Sequence, residues 1–264
     1  MTESITISPL MLVFLMCMTG FAGFVDSAAG GGGLISLPAY LFAGLPAHYT
    51  YGTNKFSAAC GTTFATAQFF QKGAMNIKVG LLAAAGSFVG SALGSHIVLL
   101  LSDEALRAMM LVILPIAAVL ILWRRNLPDE NRDDGTLTAK KAVLALAIGL
   151  GIGLYDGIFG PGTGTFMMIA LVRFAKLDTR HAAGGVKVVN LASNLGSLFT
   201  ALRAGYVLVG VGLISSVASI LGHYIGAGLA IKNGSKIVRP TVIAVLLLLT
   251  VKVGSELLFP EFWS

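Results

Sequence analysis

A shift of about 132 residues, the separation of Lys55 from Lys187, lays the second half of this sequence over the first. Gly73 then meets Gly205, Gly90 and Gly94 meet Gly222 and Gly226, and Arg107 meets Arg239, whereas Gly61 has no glycine to meet. A residue or two out of that register, Gly23-Phe-Val-Asp26 meets Gly153-Leu-Tyr-Asp156, and a glycine-rich run follows in each copy, Gly30 to Gly33 and Gly160 to Gly164. The chain is a duplication whose few charges recur at matching places inside apolar segments. Such a pattern fits membrane carriers built from two repeats around a central site.

Composition removes the soluble alternatives. Apolar residues make up 56% of the chain and charged residues 11%, against roughly a quarter charged in a soluble domain. The net charge of +6 sits in short loops, where membrane topology places it, so no nucleic-acid partner is expected. Cys17 and Cys60 lie in apolar segments without metal-ligand or disulfide spacing. No metal and no cofactor are expected. The first apolar run lacks a preceding Lys or Arg and a small-residue cleavage site, and reads as a retained membrane segment.

The predicted fold is all-α and polytopic, with five apolar segments per half: roughly 9–26, 33–45, 52–71, 76–100 and 104–124, then 140–159, 163–175, 181–203, 206–231 and 237–259. Residues 1–125 form the first repeat, 126–139 a cytoplasmic linker and 140–264 the second repeat. Five crossings per repeat invert the second copy. With the first residue outside, the loop Lys and Arg from Lys72 to Arg239 then face the cytoplasm, leaving only Arg107 and Arg203 outside. The alternative has eight full spans and two short segments that dip in and return, and it splits those charges almost evenly. Charge therefore favours ten segments in an inverted pair. The second segment of each half is too short as a helix to cross a hydrocarbon core of about 30 Å, so irregular backbone must lie at membrane depth.

That irregular backbone marks the candidate site. Gly31, Gly32 and Gly33, and Gly162, Thr163 and Gly164, bring unobstructed N–H groups to a helix N-terminus, which suits an anion; close helix packing is the other reading of so many small residues. Lys55, preceded by Asn54, and Lys187, followed by Asn190, Asn194 and Ser197 on one face, put ammonium and amide groups inside apolar spans. They either hold a small oxyanion or neutralise Asp26 and Asp156. The two aspartates serve coupling or cap the turns that follow them. Gly90-x-x-x-Gly94 and Gly222-x-x-x-Gly226 read as helix packing, and His96 and His223 as hydrogen-bonded or interface residues.

Phe-Val-Asp26-Ser-Ala-Ala-Gly-Gly-Gly-Gly33, Thr53-Asn54-Lys55, Tyr155-Asp156-Gly-Ile-Phe-Gly-Pro161-Gly-Thr-Gly164 and Lys187-Val-Val-Asn190-Leu-Ala-Ser-Asn194 resemble the TauE/SafE sulfite-exporter family, in particular its YfcA-like bacterial subgroup, over both halves. The resemblance implies a carrier of sulfite, a sulfonate or a related organosulfur anion. The expected partners are a small anionic solute and the lipid bilayer, with self-association left open. An anion-selective channel is the alternative. An intramembrane enzyme is disfavoured because no nucleophile, base and orienting group come together, and no phosphate-binding loop supports ATP-driven transport.

Overall fold

Inside a bilayer every backbone N–H and C=O has to be satisfied within the protein, which restricts long apolar segments of this kind to helices. The computed structural model describes residues 7–109, 112, 136–158, 160 and 162–233. Among these the regular elements are α1 (Pro9–Ala29), α2 (Gly33–Phe42), α3 (Ala47–Gln71), α4 (Ile77–Leu99), α5 (Ala139–Ile158), α6 (Thr163–Arg173), α7 (Thr179–Arg203) and α8 (Val209–Asn233). Residues 103–109 are also helical and open the expected fifth segment. The rest of that segment, the tenth, nearly all of the linker, Pro161, Arg239, Lys252 and Glu256 lie outside the described residues.

Local chemistry sets the helix ends. Ser8 caps α1 by accepting from Met11 N–H at 3.3 Å, with Pro9 in the first turn. Asn76 caps α4 through Val79 N–H at 3.2 Å, and Asp178 caps α7 through His181 N–H at 2.9 Å. α3 begins at Ala47, earlier than its apolar pattern suggests, because Asp103 accepts from the N–H groups of Ala47 at 2.8 Å and His48 at 3.1 Å. The ends of α3 and α7 are built alike. Gly73 (φ 59°) and Gly205 (φ 77°) take the left-handed conformation, and Ala74 and Tyr206 donate back to Phe69 and Ala201, closing the same type of turn.

α1, α4, α5 and α8 are long and apolar enough to cross a membrane. α2 and α6, with 10 and 11 residues, reach only about 15–17 Å. α3 and α7 are more polar, with 25 residues each, and they pack against each other as the inner pair. They run antiparallel: Gly52 faces Ala201, Asn194 donates to Thr62 Oγ1 at 3.3 Å, Thr66 donates to the Lys187 carbonyl at 3.1 Å, and Gly184 faces Ala74. α8 packs on α1 and α3, as α4 does on α5 and α7.

The outer pairs run parallel. Gly86, Gly90 and Gly94 of α4 meet the carbonyls of Leu146, Leu150 and Leu154 in turn, while Gly149, Gly153 and Gly157 of α5 meet those of Ala83, Ser87 and Ser91. Gly222 and Gly226 meet Gly20 and Phe24 on α1 in the same way. A Cβ at any of these positions would run into facing backbone, so the glycine spacing serves close crossing, as the sequence suggests. Apolar cores fill the remaining gaps, with Met167, Leu171, Val186 and Val189 between α6 and α7 and Leu15, Tyr40 and Leu45 at α1 and α2. Leu81 and Leu93 of α4, Val143 of α5 and Leu213 and Leu221 of α8 are exposed, giving the outer helices an apolar face suited to lipid.

Candidate anion site at the glycine breaks

α1 ends where Gly30 (φ 74°) and Gly31 (φ 109°) turn the chain into conformations that L side chains rarely adopt. Asp26 stabilises that turn by accepting from the N–H groups of Gly31 at 3.2 Å and Gly32 at 3.3 Å. Capping is therefore observed at Asp26. The second break repeats the geometry, with Gly160 (φ 82°) and Gly162 (φ 85°). The two breaks meet backbone to backbone, since a Cβ on Gly30 would stand 3.1 Å from the Gly164 Cα and one on Gly164 3.0 Å from the Gly30 Cα. Short helices α2 and α6 start from this junction, where the N–H groups of Leu34, Ile35 and Thr165 close tight turns onto the carbonyls of Gly31, Gly32 and Gly162.

The lysines reach across the duplication. Lys55 Nζ lies 2.8 Å from Asp156 Oδ2 and 3.2 Å from the Asp156 carbonyl, and Ser193 also donates to Asp156 Oδ2. Lys187 Nζ donates to the Asp26 carbonyl and lies 3.4 Å from Asp26 Oδ2. Both lysines are almost wholly buried, at 4% and 2% exposure, which an ammonium tolerates only beside opposite charge. Tyr51 supports the first pair. Its ring lies 5.7 Å from Lys55 Nζ, and its hydroxyl donates to the Gly157 carbonyl at 2.5 Å and meets Ser95 Oγ at 2.7 Å.

These groups surround one cavity, with about 60 Å³ of space for water-sized centres. A single water needs about 10–15 Å³ on that measure, so the space suits a solute of a few heavy atoms. Of the residues singled out in the sequence, Gly31, Gly32, Gly33, Asn54, Lys55, Thr163, Gly164, Asn190 and Asn194 line it, together with Asp26 and Asp156. Gly162 and Lys187 are not in the lining; Lys187 holds Asp26 from behind. Asn190 Oδ1 is buried without a hydrogen-bond partner and Ser197 Oγ likewise. On α3, Thr62 and Thr66 lie outside the lining and bond to α7.

His223 is the residue that sequence reading undervalued. Its Nδ1 bonds to the Ser219 carbonyl at 2.9 Å, as a hydrogen-bonded histidine should, but the ring also lines the cavity and its Nε2 stands 3.4 Å from Asp26 Oδ2. Its i, i+4 relation to Ser219, another lining residue, was the available signal. His96 is exposed on α4. Thr19, Ser36 and Ser57 complete the polar wall, and nothing in their spacing separates them from ordinary helix hydroxyls.

Known proteins resemble this chain along nearly its whole length. The family model described as "Sulfite exporter TauE/SafE" matches residues 15–253. A protein of Sinorhizobium sp. named "Probable membrane transporter protein ORF9" is 34% identical over 246 residues, 93% of each chain. A "Probable membrane transporter protein" of Haemophilus influenzae is 34% identical over 242 residues, 92% of this chain and 94% of its own. "Probable membrane transporter protein YfcA" of Escherichia coli K12 is 33% identical over 258 residues, 96% of this chain and 94% of its own. No solved structure matches the chain.

Proposed function

The chain belongs to the sulfite exporter TauE/SafE family, and we propose that it is a multi-pass secondary transporter of the bacterial inner membrane that carries a small sulfur oxyanion, either sulfite or a sulfonate. The observation that carries this reading is the cavity where the two glycine breaks meet. It combines a lining ammonium, Lys55, the Asn190 side-chain amide, whose NH2 group can donate, and the first turns of α2 and α6. An oxyanion entering there gains a charge-assisted contact from Lys55 and positive helix ends on two sides. Ala22, Leu37 and Ala58 supply apolar lining beside these groups. The lining supplies recognition groups, and relatives of this chain are named as membrane transporters, so the reading is a carrier.

The same reading takes the two halves as inverted copies. Equivalent helices α3 and α7 run antiparallel while α1 with α8 and α4 with α5 run parallel. Copies repeated in the same sense would set α3 and α7 parallel. An inverted pair around a central site supports alternating access, in which one half rocks against the other.

Reconstitution tests the reading. Proteoliposomes take up sulfite and methanesulfonate saturably and exclude acetate of equal charge, because the Asn190 amide and two helix N-termini favour three oxygens over two. Uptake of acetate at least as fast as methanesulfonate would remove the sulfur-oxyanion assignment. Uptake that rises linearly with concentration would replace the carrier by a channel.

A further inference from the structure

Two exchanges break the repeat, and they occur at one place. By the shift that aligns Gly90 with Gly222, His223 takes the place of Ser91, and Gly61 takes the place of Ser193. The imidazole lies over both Gly61 and Gly23. A Cβ on Gly23 would come within 2.5 Å of Nδ1, and one on Gly61 would overlap it. One half-site thus has a histidine and the glycine that makes room for it, and the other has two serines, of which Ser193 bonds Asp156. Asp26 faces an imidazole, and Asp156 faces a serine hydroxyl in its place.

The hydrogen bonds decide where a proton can go. The Ser219 carbonyl can only accept, so Nδ1 carries the hydrogen of the neutral ring. Nε2 is then a buried lone pair, without a hydrogen-bond partner, turned toward a carboxylate oxygen at 3.4 Å. That arrangement is unfavourable until Nε2 takes a proton and becomes a donor to Asp26. The charged groups around it are Asp26 on α1, Lys187 of α7 behind Asp26, and Lys55 of α3 with its partner Asp156 of α5. Two ammonium and two carboxylate groups sum to zero. A monoanion bound among them leaves a net negative charge in a buried site, which is costly, and one proton on His223 cancels it.

We propose that His223 is the proton site of this transporter and that a monoanionic solute and one proton occupy the cavity together, so that they move without net charge. The inference rests on the reading of the cavity as the solute site. By linkage, each bound anion draws in one proton. Over the range in which the ring of the empty site is neutral, the concentration for half-saturation therefore rises close to tenfold per pH unit, and where the ring is already protonated the dependence fades.

The test uses the full chain in proteoliposomes with radiolabelled methanesulfonate, which stays a monoanion throughout. With equal pH on both sides, wild-type half-saturation for counterflow rises about tenfold per pH unit on the alkaline side. A pH gradient with the potential clamped drives accumulation, whereas a potential alone does not. His223→Gln, checked for folding by size-exclusion chromatography, shows a flat pH profile whatever its affinity, and loses accumulation by the gradient. Asp26→Asn is also flat, because the site then has a spare positive charge and needs no proton. A retained tenfold slope in either variant, or wild-type uptake driven by potential alone, overturns the proposal while leaving the carrier reading intact. Absence of saturable methanesulfonate counterflow in the wild type overturns the sulfonate reading, and this inference with it.

Discussion

Replacing Lys55 by Gln separates the two roles its ammonium can play. Nζ lies 2.8 Å from Asp156 Oδ2, with side-chain exposures of 5% and 10%, and Lys55 also lines the cavity. Removing one partner of such a buried pair costs roughly 3–5 kcal/mol of stability, softened here because Ser193 still donates to Asp156. Losing a charge-assisted contact to the solute costs about 1–3 kcal/mol, or roughly five- to 150-fold in apparent affinity. Both quantities are measurable on one preparation: thermal unfolding in detergent for the first, half-saturation of methanesulfonate counterflow for the second. The double variant Lys55→Gln with Asp156→Asn removes both charges and leaves two neutral amides, so most of the stability returns. Affinity does not return, because the cation is still missing from the cavity. Wild-type affinity in the double variant would refute the reasoning and reduce Lys55 to a counter-ion for Asp156.

Lys187→Gln is expected to lose stability comparably but to lower affinity less than Lys55→Gln, since Lys187 stands behind Asp26, outside the cavity lining; equal affinity losses would return both lysines to the solute. Gly149→Ala on α5 drives a methyl group into the Ala83 carbonyl and should collapse the folded yield in size-exclusion chromatography, while Gly151→Ala, two residues on with open space around it, should leave the yield intact. In intact cells a cysteine at Lys72 resists an impermeant thiol reagent and one at Ala204 is labelled, because inversion places these two exposed helix ends on opposite sides; labelling of both from outside contradicts inversion. At Asp103, burial works against the ionised carboxyl, but the N–H groups of Ala47 and His48 and the His48 ring outweigh it and hold its pKa below the ordinary carboxylate value. A lowered folded pKa contributes stability that is present above about pH 4 and is lost as pH falls through the folded value. Asp103→Ala should remove about 1 kcal/mol of helix-capping stability at neutral pH, and flatten that acid-side loss in a thermal melt series.

Local features of the fold were legible because they are local in sequence. Apolar runs mark the helices, glycine runs mark the breaks, and the two aspartates, most of the singled-out glycines and Lys55 lie in the lining of one cavity, with Lys187 behind it. What the sequence could not give were contacts between the halves. Lys55 and Asp156 are 101 residues apart and Lys187 and Asp26 are 161 apart, and no periodicity encodes which lysine meets which aspartate. His223 has no histidine counterpart in the repeat, where Ser91 stands, so the duplication gives no sign of its role. The structure gives the mismatch a physical basis, because Gly61 is the complementary mismatch that admits the ring. The early start of α3 was hidden similarly, its cap coming from Asp103 and not from the residues before it.

A heavy-atom anion located in the protein tests the central claim most directly. Crystals or frozen particles of the purified chain, equilibrated with selenite as an analogue of sulfite, should show one selenium peak between the glycine breaks, within hydrogen-bond distance of Lys55 Nζ and the Asn190 amide. Lys55→Gln protein under the same conditions should lose it. A selenium peak at another site, or one at the breaks that persists unchanged in Lys55→Gln, would contradict the assignment of this cavity as the place where the anion binds.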